Sequence, residues 1–216
     1  MLSFPYYLIA EWMCFIISIL LLKNSDFKFG LIIKLYLFSV VLVESFCYFF
    51  VHDNNGIYNL DSPVEFVFGI WILSKIINSN NLKLTSFFCY IIYFISYLLE
   101  WLNQRGFHSF FYLTCTMGSV IMIGLCILYY YMLFHEEKYI NLLTDPAFWL
   151  VSGYFIFYTT NVGFAAYFHQ LVNIQNTDNE YLLGTIIMDV LNLILYGFWI
   201  ISFVCMRKKR RYIPLL

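Results

Sequence analysis

Residues 182–206 read LLGTIIMDVLNLILYGFWIISFVCM, and this stretch is the clearest structural signal in the chain because it carries a single charged residue, Asp189. A helix of about 20 consecutive apolar residues is long enough to cross a bilayer. The run is followed at once by the basic cluster RKKRR at 207–211. An apolar stretch ending in a basic cluster predicts a transmembrane helix whose C-terminal end lies in the cytoplasm.

The rest of the chain has the same character. Hydrophobic residues make up 62% of the 216 residues and charged residues only 12%, with a mean hydropathy of +0.76. A soluble domain carries roughly 25% charged residues, so lipid must cover most of this surface. Polar and turn-forming clusters divide residues 1–216, a single transmembrane domain, into seven predicted spans: 4–22, 30–51, 63–78, 85–103, 107–134, 147–169 and 182–206.

Two of these spans have a recognisable start. Ser62-Pro63-Val64-Glu65 has the S-x-x-E pattern of a capping box, with a proline in the first turn, and predicts the start of the third helix. Asp145-Pro146 predicts the start of the sixth helix in the same way.

Lysine and arginine are distributed very unevenly between the two sets of span ends. Arg105 is the one basic residue predicted at the outer ends, and the other eleven of the 12 fall at the inner ends. By the positive-inside rule the fold class is therefore an all-α membrane protein, a seven-transmembrane-helix bundle with its N-terminus outside and its C-terminus cytoplasmic. The predicted partner is the lipid bilayer, and nucleic acid is excluded because there is no basic domain to bind it.

Three acids lie inside predicted spans without a basic residue among them. Glu11, Glu44 and Asp189 each lie roughly 10 Å below the outer end of their helix, at the helical rise per residue. Charged groups at such depth are costly and usually functional. We therefore expect the three to share an outward-facing acidic cavity.

Polar residues three or four apart extend these acids into stripes, which should face the bundle interior because lipid cannot satisfy them. The predicted ligand-binding residues are Glu11, Glu44, Tyr48, Asn161, Asp189, Asn192 and Tyr196. The alternative is that the tyrosines and asparagines form interhelical hydrogen bonds that only hold the bundle together. On the same reasoning, Glu65 serves its capping box and Glu100 is solvated at the interface.

Three histidines, His52, His108 and His169, fall at the outer ends of their helices. Three histidines with a nearby carboxylate can hold a metal ion such as zinc. They lie on separate helices, with no H-x-x-x-H spacing, so the alternative is three exposed histidines at loop ends.

Four segments resemble those of a family of small uncharacterised seven-transmembrane proteins common in Bacteroidota. They are ESFCYF at 44–49, IYNL at 57–60, FWLVSGY at 148–154 and WIISFVC at 199–205. The resemblance implies a seven-span layout in the bacterial inner (cytoplasmic) membrane, and it carries over no binding or catalytic residue.

The functional class that the sequence favours is a receptor- or sensor-like membrane protein rather than an enzyme. Its cavity would bind a small polar or cationic ligand or a metal, and a cytoplasmic or membrane signalling partner would read the helix movement. Two alternatives stay open. One is a membrane-embedded enzyme that modifies lipid or an isoprenoid, and the other is a small transporter or structural subunit of a membrane complex.

Overall fold

The described part of the chain is helical apart from its connections. The computed structural model describes residues 6–22, 30–51, 54–77, 82–104, 106–107, 109–135, 141–172 and 178–212, without the side chains of 82–83, 165–172, 178–185 and 209–212. Within these ranges there is no β-strand, and a short 3-10 helix spans Leu142–Thr144. The α-helices are α1 (Tyr6–Leu21), α2 (Gly30–Phe50), α3 (Asn55–Ile77), α4 (Leu82–Gln104), α5 (Tyr112–His135), α6 (Pro146–Val172) and α7 (Asp178–Tyr212).

The outside of the bundle is apolar. Four described helices are long and apolar enough to cross a bilayer, over Gly30–Phe50, Leu84–Gln104, Tyr112–His135 and Ile186–Lys208, and α1 is apolar but shorter. Many large apolar side chains face outward along these helices, which suits lipid and not water. The described helices therefore have the character of an α-helical membrane protein, in agreement with the predicted fold class. The seven-span count and the orientation stay predictions.

The helices pack in the order of the chain. Each helix contacts the next one, and α7 closes the ring by packing along α1. In addition α3 contacts α5 directly, so α4 lies against the outside of this pair. Accordingly, α4 is the most exposed of the four long apolar helices, with only 17% of the residues in its apolar part buried.

The centre of the bundle is aromatic. The Trp199 indole of α7 is fully buried, with its ring centroid 5.1 Å from that of Tyr154 on α6 and 5.5 Å from that of Tyr36 on α2. Gly153 lets α6 and α7 approach closely, because an added Cβ would lie 3.1 Å from the Phe198 Cβ and 3.3 Å from the Leu195 carbonyl oxygen.

The start of α3 corrects the sequence prediction. The helix begins at Asn55, about two turns before Pro63, so Pro63 lies inside the helix and the S-x-x-E pattern is not a capping box. Ser62 instead hydrogen-bonds with the Tyr93 hydroxyl at 2.7 Å, which joins α3 to α4. Ser62 therefore takes part in packing between two helices and not in a local cap at a helix start.

Two carboxylates cap helices. The predicted start of α6 is confirmed, since the Asp145 carboxylate accepts a hydrogen bond from the Phe148 amide at 3.0 Å. Glu100 on α4 is buried rather than solvated, which corrects the sequence interpretation. Its carboxylate accepts from the Leu113 amide at 3.1 Å and from the amide and hydroxyl of Thr114, both at 2.8 Å, and so caps α5.

The connection before α5 is fixed by one side chain of α3. Residues 107–111 were predicted to begin the fifth span, but α5 begins at Tyr112. The Asn59 side chain donates to the Ser109 carbonyl at 2.8 Å and accepts from the Phe111 amide at 3.0 Å. Because these backbone groups pair with Asn59, they do not enter the helix.

Candidate functional site

A cavity of about 480 Å³ lies towards the end of the bundle where α1, α3, α5 and α7 begin and where α2 and α6 end. All seven helices contribute to its lining, together with the connection before α5. The lining residues are Tyr7, Glu44, Tyr58, Asp61, Ser62, Glu65, Phe66, Tyr93, Phe110, Tyr112, Cys115, Gly118, Ser119, Phe157, Tyr158, Asn161, Phe164, Met188, Asp189 and Asn192.

The charged part of the lining is wholly acidic. Four carboxyl groups line the cavity, from Glu44 on α2, Asp61 and Glu65 on α3, and Asp189 on α7. Among the described lining residues there is no Lys, Arg or His. A cation that enters the cavity stabilises the ionised form of these carboxyl groups, so the lining favours cations over anions.

Glu44 is the most firmly oriented of these acids. Its Oε2 accepts a hydrogen bond from the Tyr58 hydroxyl at 3.0 Å and from the Tyr7 hydroxyl at 3.3 Å. The two tyrosines come from α3 and α1, so three helices fix one carboxylate. Both hydroxyls bind the same oxygen, and neither uses Oε1.

The acids of the first, second and last helices lie in the same region of the bundle, near Tyr7 on α1. The Tyr7 hydroxyl interacts electrostatically with Glu44, Glu11 and Asp189. The three acids singled out in the sequence are thus neighbours at the same end of the bundle.

The polar groups of α6 and α7 complete the wall. Asp189 and Asn192 line the cavity from α7, and the Asp189 Oδ1 is buried without a hydrogen-bond partner among the described residues. Asn161 lines it from α6 and is tied to α5, because its Nδ2 donates to the Ser119 hydroxyl at 3.2 Å.

Three residues expected in the ligand site lie elsewhere. Glu11 is only 2% exposed and lies behind the cavity wall, where its carboxyl group hydrogen-bonds with the Tyr196 side chain. Tyr196 belongs to the buried aromatic centre around Trp199. Tyr48 is half-buried on α2 and contacts Phe49, outside the described lining. Helical stripes identify which residues avoid lipid, but not which of them reach a cavity.

Aromatic rings form much of the remaining surface. Phe66 and Tyr93 stack with ring centroids 3.8 Å apart, at an angle of 15°. Gly118 on α5 makes room for them, since an added Cβ would lie 3.1 Å from the Tyr93 ring. Tyr158 stacks on Tyr154, with centroids 5.7 Å apart, and connects the cavity to the aromatic centre.

The predicted metal site cannot be located in the structure. His52, His108 and the side chain of His169 lie outside the described residues. Among the described His, Cys, Asp and Glu side chains, no group of three or more is arranged to hold a metal ion.

Most of the lining residues were not among those predicted from the sequence, and three of them are polar residues of α3. Tyr58, Asp61 and Glu65 were assigned to a loop and a capping box, although their spacing of three and four residues places them on one helix face. This spacing is visible in the sequence, but it indicates a shared face only if the helix already begins before Pro63.

No protein-family model matches the chain, and no curated protein or solved structure is significantly similar to it.

Proposed function

We propose that this protein is a receptor- or sensor-like multi-pass membrane protein that binds a small cationic ligand in the acidic cavity. The observation that carries the proposal is the set of four lining carboxyl groups, with no basic side chain in the described lining to neutralise them. A cavity of about 480 Å³ is within the usual range for small-molecule sites, roughly 300–1,000 Å³.

The distribution of basic residues supports the topology that we propose, seven spans with the N-terminus outside and the C-terminus cytoplasmic. Lys34 lies near the start of α2, Lys75 near the end of α3, and Arg207 and Lys208 near the end of α7. All four are at the end of the bundle opposite the cavity. The positive-inside rule then places the cavity on the outer side, and the resemblance to the Bacteroidota family favours the bacterial inner membrane.

The last helix links the cavity to the inner end. Asp189 and Arg207 are on the same continuous helix, α7, which packs against both α1 and α6. A cation that bridges Asp189 to groups on other helices favours one packing of α7 over another. A cytoplasmic or membrane signalling partner is proposed to read that change at the basic end.

The test is ligand-dependent thermal stability of the purified protein in nanodiscs. Tetramethylammonium, Na⁺ and Zn²⁺ are the probes, and the variants are Glu44→Gln and Asp189→Asn. At a concentration 100-fold above Kd, a ligand stabilises by about 2.7 kcal/mol, which raises Tm by about 5–10 °C in a chain of this size. We expect at least one probe to do so in the native protein, and the shift to shrink in both variants.

Asp145→Asn is the matched control. It removes one carboxylate at the opposite end of the bundle and retains a side-chain oxygen that can cap α6 equally well. The proposal is wrong if no cation raises Tm, or if Glu44→Gln and Asp189→Asn respond to cations as fully as Asp145→Asn.

A further inference from the structure

We infer that the ligand is a small organic ammonium compound, a protonated amine or quaternary ammonium ion with an apolar body, rather than a bare metal ion. This inference rests on the proposed function and narrows it to a chemical class. It is carried by the combination of acidic and aromatic groups around one volume.

The aromatic content of the lining is the first argument. Nine of the 20 lining residues are Tyr or Phe, and they come from five helices and the connection before α5. Ring faces attract organic cations through their quadrupole and also accept the apolar part of such a ligand. They supply no oxygen or nitrogen ligand of the kind that Zn²⁺ or Ca²⁺ requires.

The size and spacing of the site are the second argument. A metal ion needs several ligand atoms within about 2.0–2.6 Å, and the described acidic side chains form no such group. One water takes up about 30 Å³ of liquid, so a cavity of about 480 Å³ is much larger than a bare ion requires. A cation with a hydrocarbon body fills this space.

A buried acid behind the wall is the third argument. Glu11 is 2% exposed, its Oε2 has no hydrogen-bond partner among the described residues, and it interacts electrostatically with Glu44 and Glu65. This part of the bundle therefore holds more acidic groups than its described polar neighbours satisfy. An ammonium group in the cavity interacts favourably with the carboxyl groups that line it.

Glu44 is the group assigned to contact the ammonium. Its Oε2 is held by Tyr7 and Tyr58, so the carboxylate is already oriented and binding does not need to order it. Oε1 is not used by either tyrosine and can accept a hydrogen bond from a protonated amine. Aromatic residues such as Phe157 then contact the body of the ligand.

The experiment compares matched probes by calorimetry on the full chain in nanodiscs. Phenethylammonium and 2-phenylethanol have the same carbon skeleton, but only the first is charged at neutral pH. Tetramethylammonium tests the charge alone, and Zn²⁺ and Na⁺ are the metal probes. We expect the ammonium compounds to bind and 2-phenylethanol to bind at least about tenfold more weakly, a difference of about one charge-assisted hydrogen bond.

Variants test separately the contact with the ammonium group and the contact with the apolar body of the ligand. Glu44→Gln should weaken phenethylammonium binding by about tenfold or more, and Phe157→Leu by about threefold or more. Phe134→Leu is the matched control because Phe134 is 74% exposed at the opposite end of the bundle. If Glu44→Gln does not fold, Asp189→Asn is a second variant that removes a lining carboxyl group. Size-exclusion chromatography checks the folding of each variant.

The possible outcomes separate this inference from the proposed function. Binding of Zn²⁺ or Na⁺ that depends on Glu44 or Asp189, without binding of either ammonium compound, overturns the inference and leaves a cation site standing. Equal binding of phenethylammonium and 2-phenylethanol also overturns it. Failure of every probe to bind, or binding that is unchanged in both acidic variants, overturns both.

Discussion

At the scale of the residue, Asn59 shows how one amide shapes the cavity. The side chain is 1% exposed and uses its amide group as donor to Ser109 and its oxygen as acceptor from Phe111. Phe110, which lies between these two partners, lines the cavity. The amide suits this position because it carries its donor and its acceptor on two separate atoms.

Asn59→Asp should therefore destabilise the protein, although it only replaces the amide NH2 group with an oxygen of nearly the same size. The carboxylate loses the donor to the Ser109 carbonyl and places an acid at a buried position. We expect a loss of about 2–3 kcal/mol in the free energy of unfolding, measured by denaturation in detergent. Asn103→Asp, at an exposed position on α4, is the control and should change stability by less than about 0.5 kcal/mol. Equal stability of the two variants would contradict this role.

Site residues could be predicted from the sequence where a polar group interrupts an apolar run. Glu44, Asn161, Asp189 and Asn192 were identified in this way, and the structure brings all four to one cavity. Their role in binding stays a prediction. The cost of a polar group in lipid shows that it must face protein, but the same cost applies to Glu11, which lies behind the wall instead.

At the scale of the element, the contact between α6 and α7 depends on a missing side chain. The Cβ of an alanine at Gly153 would lie 3.1–3.3 Å from Phe198, Leu195 and Trp199, and one of these atoms is backbone. The two helices must therefore separate to accommodate it.

Gly153→Ala should destabilise the bundle by roughly 1–3 kcal/mol, the usual cost of overpacking. Gly163→Ala on the same helix is the matched control, since nothing lies within 4 Å of its added Cβ. Alanine is the better helix former by about 1 kcal/mol, so the control should be neutral or stabilising. Thermal unfolding of both variants in detergent measures the difference, and equal Tm values would show that close packing at Gly153 is unimportant.

Helix positions followed from the sequence better than helix starts did. Apolar runs and polar clusters predicted a helix in each region where the structure has one, and Asp145-Pro146 predicted the start of α6 correctly. The predicted starts of α3 and α5 were wrong, and the start of α5 depends on partners that are distant in the chain. Glu100 caps α5 from α4, and no local pattern in the sequence reveals such a cap.

At the scale of the whole molecule, the two ends of the bundle carry opposite charge. Acidic groups surround the cavity at one end, and the described basic residues Lys34, Lys75, Arg207 and Lys208 lie towards the other. This separation could be predicted from the sequence, because the position of each charged residue along its apolar run is known without knowing how the helices pack. The convergence of acids and aromatic rings on one cavity could not, because it depends on how each helix is rotated.

The proposed orientation predicts which end a membrane-impermeant maleimide reaches in intact cells. Ser109→Cys, exposed near the cavity, and Lys208→Cys, exposed at the other end, are made singly in a chain without its six native cysteines. We expect Ser109→Cys to react in intact cells and Lys208→Cys to react only after permeabilisation. The reverse pattern would place the cavity on the cytoplasmic side.

The closure of the helix ring by α7 has a consequence for biosynthesis. Most neighbours in the bundle are also neighbours in the chain, so successive helices can pair as they leave the ribosome. Glu11 on α1 is an exception, since its hydrogen-bond partner Tyr196 follows all six earlier helices. Until α7 inserts, the Glu11 carboxyl group lacks this partner. An unfinished chain therefore exposes a polar group inside the membrane that the complete bundle buries.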